Sequence, residues 1–128
     1  MAATPSQQGC HPLKYTVTHY RKQQHTHEAF IKWIVEKHLP LAMPVFKKHG
    51  VLGYSLEIQP TWDFADFDCF IEYTIPDVQV IKNVTSDPDW ATATKDQDDW
   101  VDMTKILNSL GYSTPHLLET GEVVNMPE

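Results

Sequence analysis

Residues 66–75 alternate without a break. Phe67, Cys69, Ile71, Tyr73 and Ile75 point one way, and Asp66, Asp68, Phe70, Glu72 and Thr74 the other. A period of two marks a β-strand, because successive side chains leave opposite faces of the pleat. The first set needs cover and the second is too polar for a core. The strand therefore belongs to a sheet with helices over one face only.

Two more segments read as partners for it. KYTVTHYRK (14–22) is rich in β-formers, with Tyr15, Val17 and His19 on one face and Thr16, Thr18 and Tyr20 on the other. VLGYSLEIQP (51–60) places Leu52, Tyr54, Leu56 and Ile58 together. Between them Phe30, Ile34, His38, Leu41 and Val45 recur at helical spacing, after a Thr26 N-cap and before Gly50 as a left-handed stop. Pro40 cannot donate to Glu36, which predicts a kink near residues 38–40. A short helix from Asp77 to Val84, a longer one from Asp89 to Leu110 stopped by Gly111, and a last strand or bent ribbon at 116–126 complete the order.

The order β-α-β-β-α-α-β is the split βαβ pattern, so the expected class is α+β, a ferredoxin-like βαββαβ sandwich. Residues 1–12 read as a flexible leader and 13–128 as one domain, as a length of 128 residues allows. The face carrying Thr16, Tyr20, Glu57, Phe70 and Thr74 is too mixed for solvent alone, which predicts a homodimer with sheets stacked face to face.

Composition narrows the function classes. A net charge of −7 with a single arginine, Arg21, repels phosphate backbones and anionic membrane surfaces, which excludes nucleic acid and membrane as expected partners. Two cysteines make no disulfide framework, and no signal peptide or spanning segment is visible, so a cytoplasmic location is expected. His25-Thr26-His27 is an i, i+2 pair, and no Cys-x-x-Cys or i, i+4 ligand pair occurs, so neither metal nor cofactor is expected. Asp66 and Asp68 resemble paired carboxylates but share the face predicted to meet water or a second copy.

Phe30, Trp33, His38, Pro40 and Leu41, followed by Gly50 and Tyr54, resemble the F-x-x-W…H-x-P-L…G…Y pattern of EthD-domain proteins. DFDCFIEYTIPD (66–77), DPDW (87–90), DDWVD (98–102) and SLGYST (109–114) are similar to a fungal subgroup of that family, the atrochrysone carboxylic acid decarboxylases of aromatic polyketide pathways. The resemblance implies a cofactor-free dimeric α/β barrel that removes CO2 from a fused-ring polyketide acid. Dehydration, cyclisation or cofactor-free oxygenation of a similar ring, or mere binding of a hydrophobic intermediate, are the alternatives the fold permits.

Loss of CO2 without a cofactor needs a carbonyl as electron sink and a group to move a proton, which histidine does near neutral pH. His38 lies on the buried stripe beside the proline and is the candidate acid/base, against the plain reading of a satisfied core histidine. His19 shares the inward face of the first strand and could meet it across the helix–sheet gap. Tyr54 and Tyr73 could hydrogen-bond a phenolic substrate, though buried tyrosines are commonly core. Arg21 is the available carboxylate clamp, or a solvated charge. Trp62, Phe64 and Trp90 could wall the substrate, while Trp100 is assigned to ordinary packing.

Overall fold

The computed structural model describes residues 12–59 and 66–127. The chain runs β1 (Leu13–His19), α1 (His27–Trp33), a π-helical turn (Ile34–His38), α2 (Leu39–Lys48), β2 (Gly53–Ile58) and β3 (Cys69–Ile75). It continues through α3 (Gln79–Thr85), α4 (Pro88–Ala93), α5 (Gln97–Trp100) and β4 (Leu107–Tyr112). The four strands form one antiparallel sheet in the order β2-β3-β1-β4. This is the ferredoxin-like α+β arrangement expected from the sequence.

Thr26 caps α1 by accepting from the Ala29 amide at 3.1 Å, and Gly50 ends α2 with φ 84°, a conformation that suits glycine. The predicted kink takes a specific form. The Leu39 N–H reaches back to the Ile34 carbonyl, one residue further than in an α-helix. Pro40 has no N–H and crowds the preceding turn, and a wider turn accommodates it. The extra residue shifts the buried stripe. Ala42 takes the inward position expected for Leu41, which is exposed, and Phe30, Ile34, His38 and Val45 stay buried.

The segment expected to be one helix from Asp89 to Leu110 is two short helices and a strand. Asp102 Oδ1 accepts from the Thr104 amide and hydroxyl, a local turn that competes with helix. Val101 is already extended and bridges Arg21. Leu107–Tyr112 then pairs along β1, whose open edge supplies backbone partners that Asn108, Ser109 and Gly111, poor helix formers, gain little by refusing. The last strand of the sheet is therefore Leu107–Tyr112. Residues 116–126 make only a bent ribbon with one bridge, Leu117 to Val123.

Asp68 also departs from expectation. It is buried rather than facing water, and its two carboxylate oxygens accept from the Arg21 guanidinium at 2.7 Å, the Arg21 amide at 2.8 Å and His27 Nδ1 at 2.8 Å. β3 begins only at Cys69, and the chain between Arg21 and His27 wraps over the carboxylate before it. Burial alone would raise the pKa of Asp68, but the Arg21 amide, His27 and the guanidinium outweigh it and hold the carboxyl below its usual range. Asp66 remains exposed, paired with the Tyr20 hydroxyl at 3.3 Å.

Two apolar clusters hold the helices to the sheet. One joins Ala42, Val45 and Phe46 to Leu13, Ile75, Val80 and Val84, and the other joins Phe30, Trp33 and Ile34 to Cys69 and Val101. Val17, Ile71 and His38 are buried yet belong to neither cluster. Phe30 is the deepest large side chain, and Phe30→Ala should cost about 3–5 kcal/mol in urea unfolding. Asp68→Ala should cost about 1–3 kcal/mol, because it releases three charged or backbone donors at once. Asp68→Ala with unchanged stability would show that the wrap from Arg21 to His27 is not held there.

Candidate active site

Val17, Ile71 and His38 meet at a cavity of about 260 Å³ between the sheet and its helices. Its floor comes from the inward faces of β1 and β3, including Tyr15, His19 and Tyr73, with Asn108 from β4. Its roof comes from His38 on the π turn, Phe46 on α2 and Trp90 on α4, and α3 closes one side with Val80 and Val84.

His38 is 8% exposed, and its Nδ1 lies 3.1 Å from the Ala93 carbonyl oxygen. A carbonyl only accepts, so Nδ1 carries the proton and Nε2 keeps a lone pair. The ring stacks on Trp33 at 5.5 Å and meets Trp90 edge-on at 6.0 Å. Burial pushes its pKa below the usual 6.5, and the bond to Ala93 pulls the other way without cancelling it. For His19, burial and then the charge of His38 bring the pKa down to about 4. Its Nδ1 is buried and has no hydrogen-bond partner among the described residues. Both imidazoles are thus neutral at pH 7, and His38 lines the cavity with Nε2 free to act as a base.

Tyr73 lines the same cavity, and burial, followed by Tyr54 and Tyr15, raises its pKa well above 10. It stays a phenol that can donate a hydrogen bond. Tyr15 stacks on it at 5.6 Å and is likewise raised by burial. Trp90 is a wall of the cavity. The structure therefore brings His38, His19, Tyr73 and Trp90 together around one space.

The remaining candidates lie elsewhere. Tyr54 is absent from the lining; it stacks on Phe46 at 5.4 Å and meets Tyr73 edge-on at 5.2 Å, with its hydroxyl buried and unpartnered among the described residues. Arg21 is engaged by Asp68 and donates through Nε to the His25 carbonyl at 2.9 Å, outside the cavity. Trp62 and Phe64 fall outside the described residues. Trp100 packs between His25 at 3.8 Å and Trp33 at 5.4 Å.

Four polar lining residues, Tyr15, Thr85, Gln97 and Asn108, are not singled out by sequence reasoning. Tyr15 shares the face of Val17 and His19, and the alternation carries that signal. Gln97 lies on the inward stripe Trp90, Ala93, Gln97 and Trp100 of the expected helix, and Thr85 falls just past the expected Asp77–Val84 helix. Asn108 is hidden by the assignment of 89–110 to a single helix, which gives it no strand partner.

Fold and cavity together define a ferredoxin-like domain that places two histidines and two tyrosines around a mostly apolar space. Residues 22–104 match the EthD domain, and the chain belongs to the EthD-domain family. It is 32% identical over 131 residues to "Dehydratase iacD" of Pestalotiopsis fici, across 90% of this chain and 94% of that protein. It is 24% identical over 132 residues to an Aspergillus terreus protein given a provisional description as an oxygenase, across 91% of this chain and 82% of the relative. Among solved structures, a dimeric ferredoxin-like protein of unknown function from Thermobifida fusca superposes with a TM-score of 0.55 at 12% identity, over 78% of this chain and 89% of that one.

The histidine shifts have a testable sign. The native state holds both imidazoles below 6.5, so the unfolded chain binds more protons as pH falls below that value. The stability they contribute is complete above pH 6.5 and is lost as pH falls toward about 4. NMR titration should find His19 and His38 half-protonated below pH 6.5, and His19→Gln should flatten the fall of Tm across that window. A His38 midpoint at or above 6.5 would contradict this account of the cavity.

Proposed function

We propose that the chain is a lyase acting on a fused-ring aromatic polyketide, with His38 as the acid/base and no cofactor, and that its reaction is the elimination of water next to a ring carbonyl. The observation that carries the reading is His38 itself: a neutral imidazole, fixed in one tautomer by Ala93, facing a cavity walled by aromatic rings. Nε2 takes the proton from the carbon α to the carbonyl, and the electrons of the broken C–H bond pass into an enolate. The enolate collapses to a C=C bond as the β C–O bond breaks. The imidazolium returns the proton to the departing hydroxide, so one water leaves and His38 is restored. Tyr73 can donate a hydrogen bond to the carbonyl as its charge grows. The description of the Pestalotiopsis fici relative as a dehydratase supports this reading.

Decarboxylation is the second reading, favoured by one observation. No lysine or arginine among the described residues lines the cavity. A carboxylate inside would lose hydration without gaining an ion pair, and departure of CO2 spreads that charge into the ring. For the step to balance, the substrate enters as the neutral acid. Nε2 of His38 takes its carboxyl proton, and the imidazolium returns that proton to the carbon that CO2 leaves. The segments shared with the decarboxylase subgroup support the same step. Incubation with candidate ring substrates separates the two by mass, as loss of water or loss of carbon dioxide. Unchanged mass with tight binding would instead make the domain a carrier.

We further propose a homodimer joined through the open sheet face. Glu57 Oε2 is buried on that face with no hydrogen-bond partner among the described residues. Burial, then Glu72, raises the pKa of Glu57 against the pull of Lys14. Covering the face is the arrangement that would give it one, and the Thermobifida fusca structure is of a dimeric protein of this fold. Light scattering should give twice the 14.7 kDa chain mass at micromolar concentration; a monomer mass would refute this.

His38→Leu should lower turnover by about 10²–10⁴-fold. Stability should change by no more than about 1–2 kcal/mol, since the bond to Ala93 is lost while leucine keeps apolar contact with Trp33 and Trp90. His38→Gln should bind substrate and turn it over poorly. Retained turnover in His38→Leu would remove the residue from the mechanism, and a collapsed Tm with normal activity in the folded fraction would make it structural.

A further inference from the structure

His38 is shared by two spaces. Besides the cavity over the sheet, it lines a smaller cleft of about 210 Å³ between residues 33–41 and the end of α4. Trp33, Lys37 and Leu41 border this cleft on one side, and Ala93, Lys95 and Asp96 on the other. No strand residue reaches it.

The cleft differs from the main cavity in charge. The chain has seventeen carboxylate side chains, and Arg21, Lys14 and Lys48 each pair with at least one of them. Lys37 and Lys95 have no ion pair or hydrogen bond among the described residues, although Asp96 lines the same cleft. Two ammonium groups against one carboxylate leave a single positive charge, which suits a monoanion. The remaining wall is apolar, with Trp33 and Ala93 buried and Leu41 exposed. Pockets that enclose drug-sized ligands run to roughly 300–1,000 Å³, so this one has room for a body of about one ring.

We infer that the cleft is a second binding site, for a small carboxylate with an apolar body, its anionic head held by Lys37 and Lys95 and its body set against Trp33 and Leu41. A carboxylate there lies beside the imidazole that also lines the main cavity, and the two spaces are coupled through that ring. An anion next to a histidine favours its charged form, so an occupied cleft makes His38 a stronger base. By linkage, the carboxylate binds more tightly as His38 gains its proton. Burial, which holds His38 below its usual 6.5, is opposed by this effect. The other titratable groups around the ring are His19, Tyr15 and Tyr73 across the cavity, with Lys37, Lys95 and Asp96 in the cleft. The consequence for turnover rests on the lyase reading of His38, whereas the binding site rests on the cleft alone.

The test is NMR titration of the full chain at pH 7 and constant ionic strength with three probes: benzoate, benzamide as the neutral ring, and acetate as the head without the ring. Benzoate should bind with a Kd below about 10 mM, at least about threefold more tightly than either control. Its amide shifts should centre on Lys37, Leu41 and Lys95. Lys37→Gln combined with Lys95→Gln should weaken benzoate about tenfold, and Asp96→Asn should tighten it about threefold. The His38 titration midpoint should move up in benzoate and stay in place in benzamide. Benzoate that binds no better than benzamide, or equally well to the double variant, overturns the site. Shifts centred on Val17 and Ile71 overturn it too, since they would put the carboxylate in the main cavity. An unmoved His38 midpoint at saturation overturns the coupling. Benzoate that shifts His38 in a chain with no turnover of any polyketide would defeat the lyase reading and leave this inference standing. Turnover lost in His38→Leu, with no benzoate binding to the unmodified chain, would do the reverse.

Discussion

Pro40 has no N–H to give, and the helix that contains it widens into a π turn whose last residue is His38. Beyond His38 the buried stripe continues through Ala42 and Val45, both packed against the core beside Leu13 and Ile75, while Leu41 is exposed. The same turn sets His38 against the C-terminal residue of α4, and the Ala93 carbonyl there has only lone pairs to offer. The proton is thereby confined to Nδ1. Helix geometry, tautomer and chemistry form one causal line that begins with a missing hydrogen-bond donor.

The second half of the site comes from the sheet, and its property is the removal of charge. β1 and β3 send Tyr15, His19, Ile71 and Tyr73 inward, while Lys14, Glu72 and Thr74 point outward on the same strands. Period-two alternation sorts them without cost to either face. The ion pair of Arg21 with Asp68 lies beyond the strand ends, where it fastens the connection into α1. Burial is what lowers the histidine pKa values, with the charge of His38 adding to it at His19, and the lining holds no carboxylate to repay the lost hydration.

The sheet is legible in the sequence wherever alternation is strong. Residues 69–75 and 13–19 read as strands because their inward and outward sets differ in chemistry, and the meeting of His19 with His38 comes from placing each on its covered face. The region after Asp89 misleads because its helical spacing, Trp90, Ala93, Gln97 and Trp100, is real but stops at Asp102. Beyond Asp102 the vacant edge of β1 decides the conformation, and local propensity does not report a partner so distant in sequence. Arg21 illustrates the same limit in the site. Its suitability as a carboxylate clamp is a property of the side chain, whereas its use by Asp68 depends on how residues 21–27 pass over the end of β3. Only the folded arrangement reveals which partner takes it.

The unsatisfied buried atoms among the described residues sort by the face of the sheet they occupy. His19 lines the cavity on the helix side, with its Nδ1 closed to solvent, and Glu57 Oε2 lies on the open side. Tyr54 also has an unpartnered hydroxyl on the helix side, and nothing in the structure supplies or explains a partner for it. Folded proteins keep few such groups, because each forgoes a hydrogen bond that water would have made. An apolar replacement at Glu57 would relieve the isolated domain, so its presence points to a bond completed from outside it. In the proposed homodimer a second sheet would supply the bond that Glu57 lacks, and the sheet that carries both Glu57 and His19 separates the cavity from that open face.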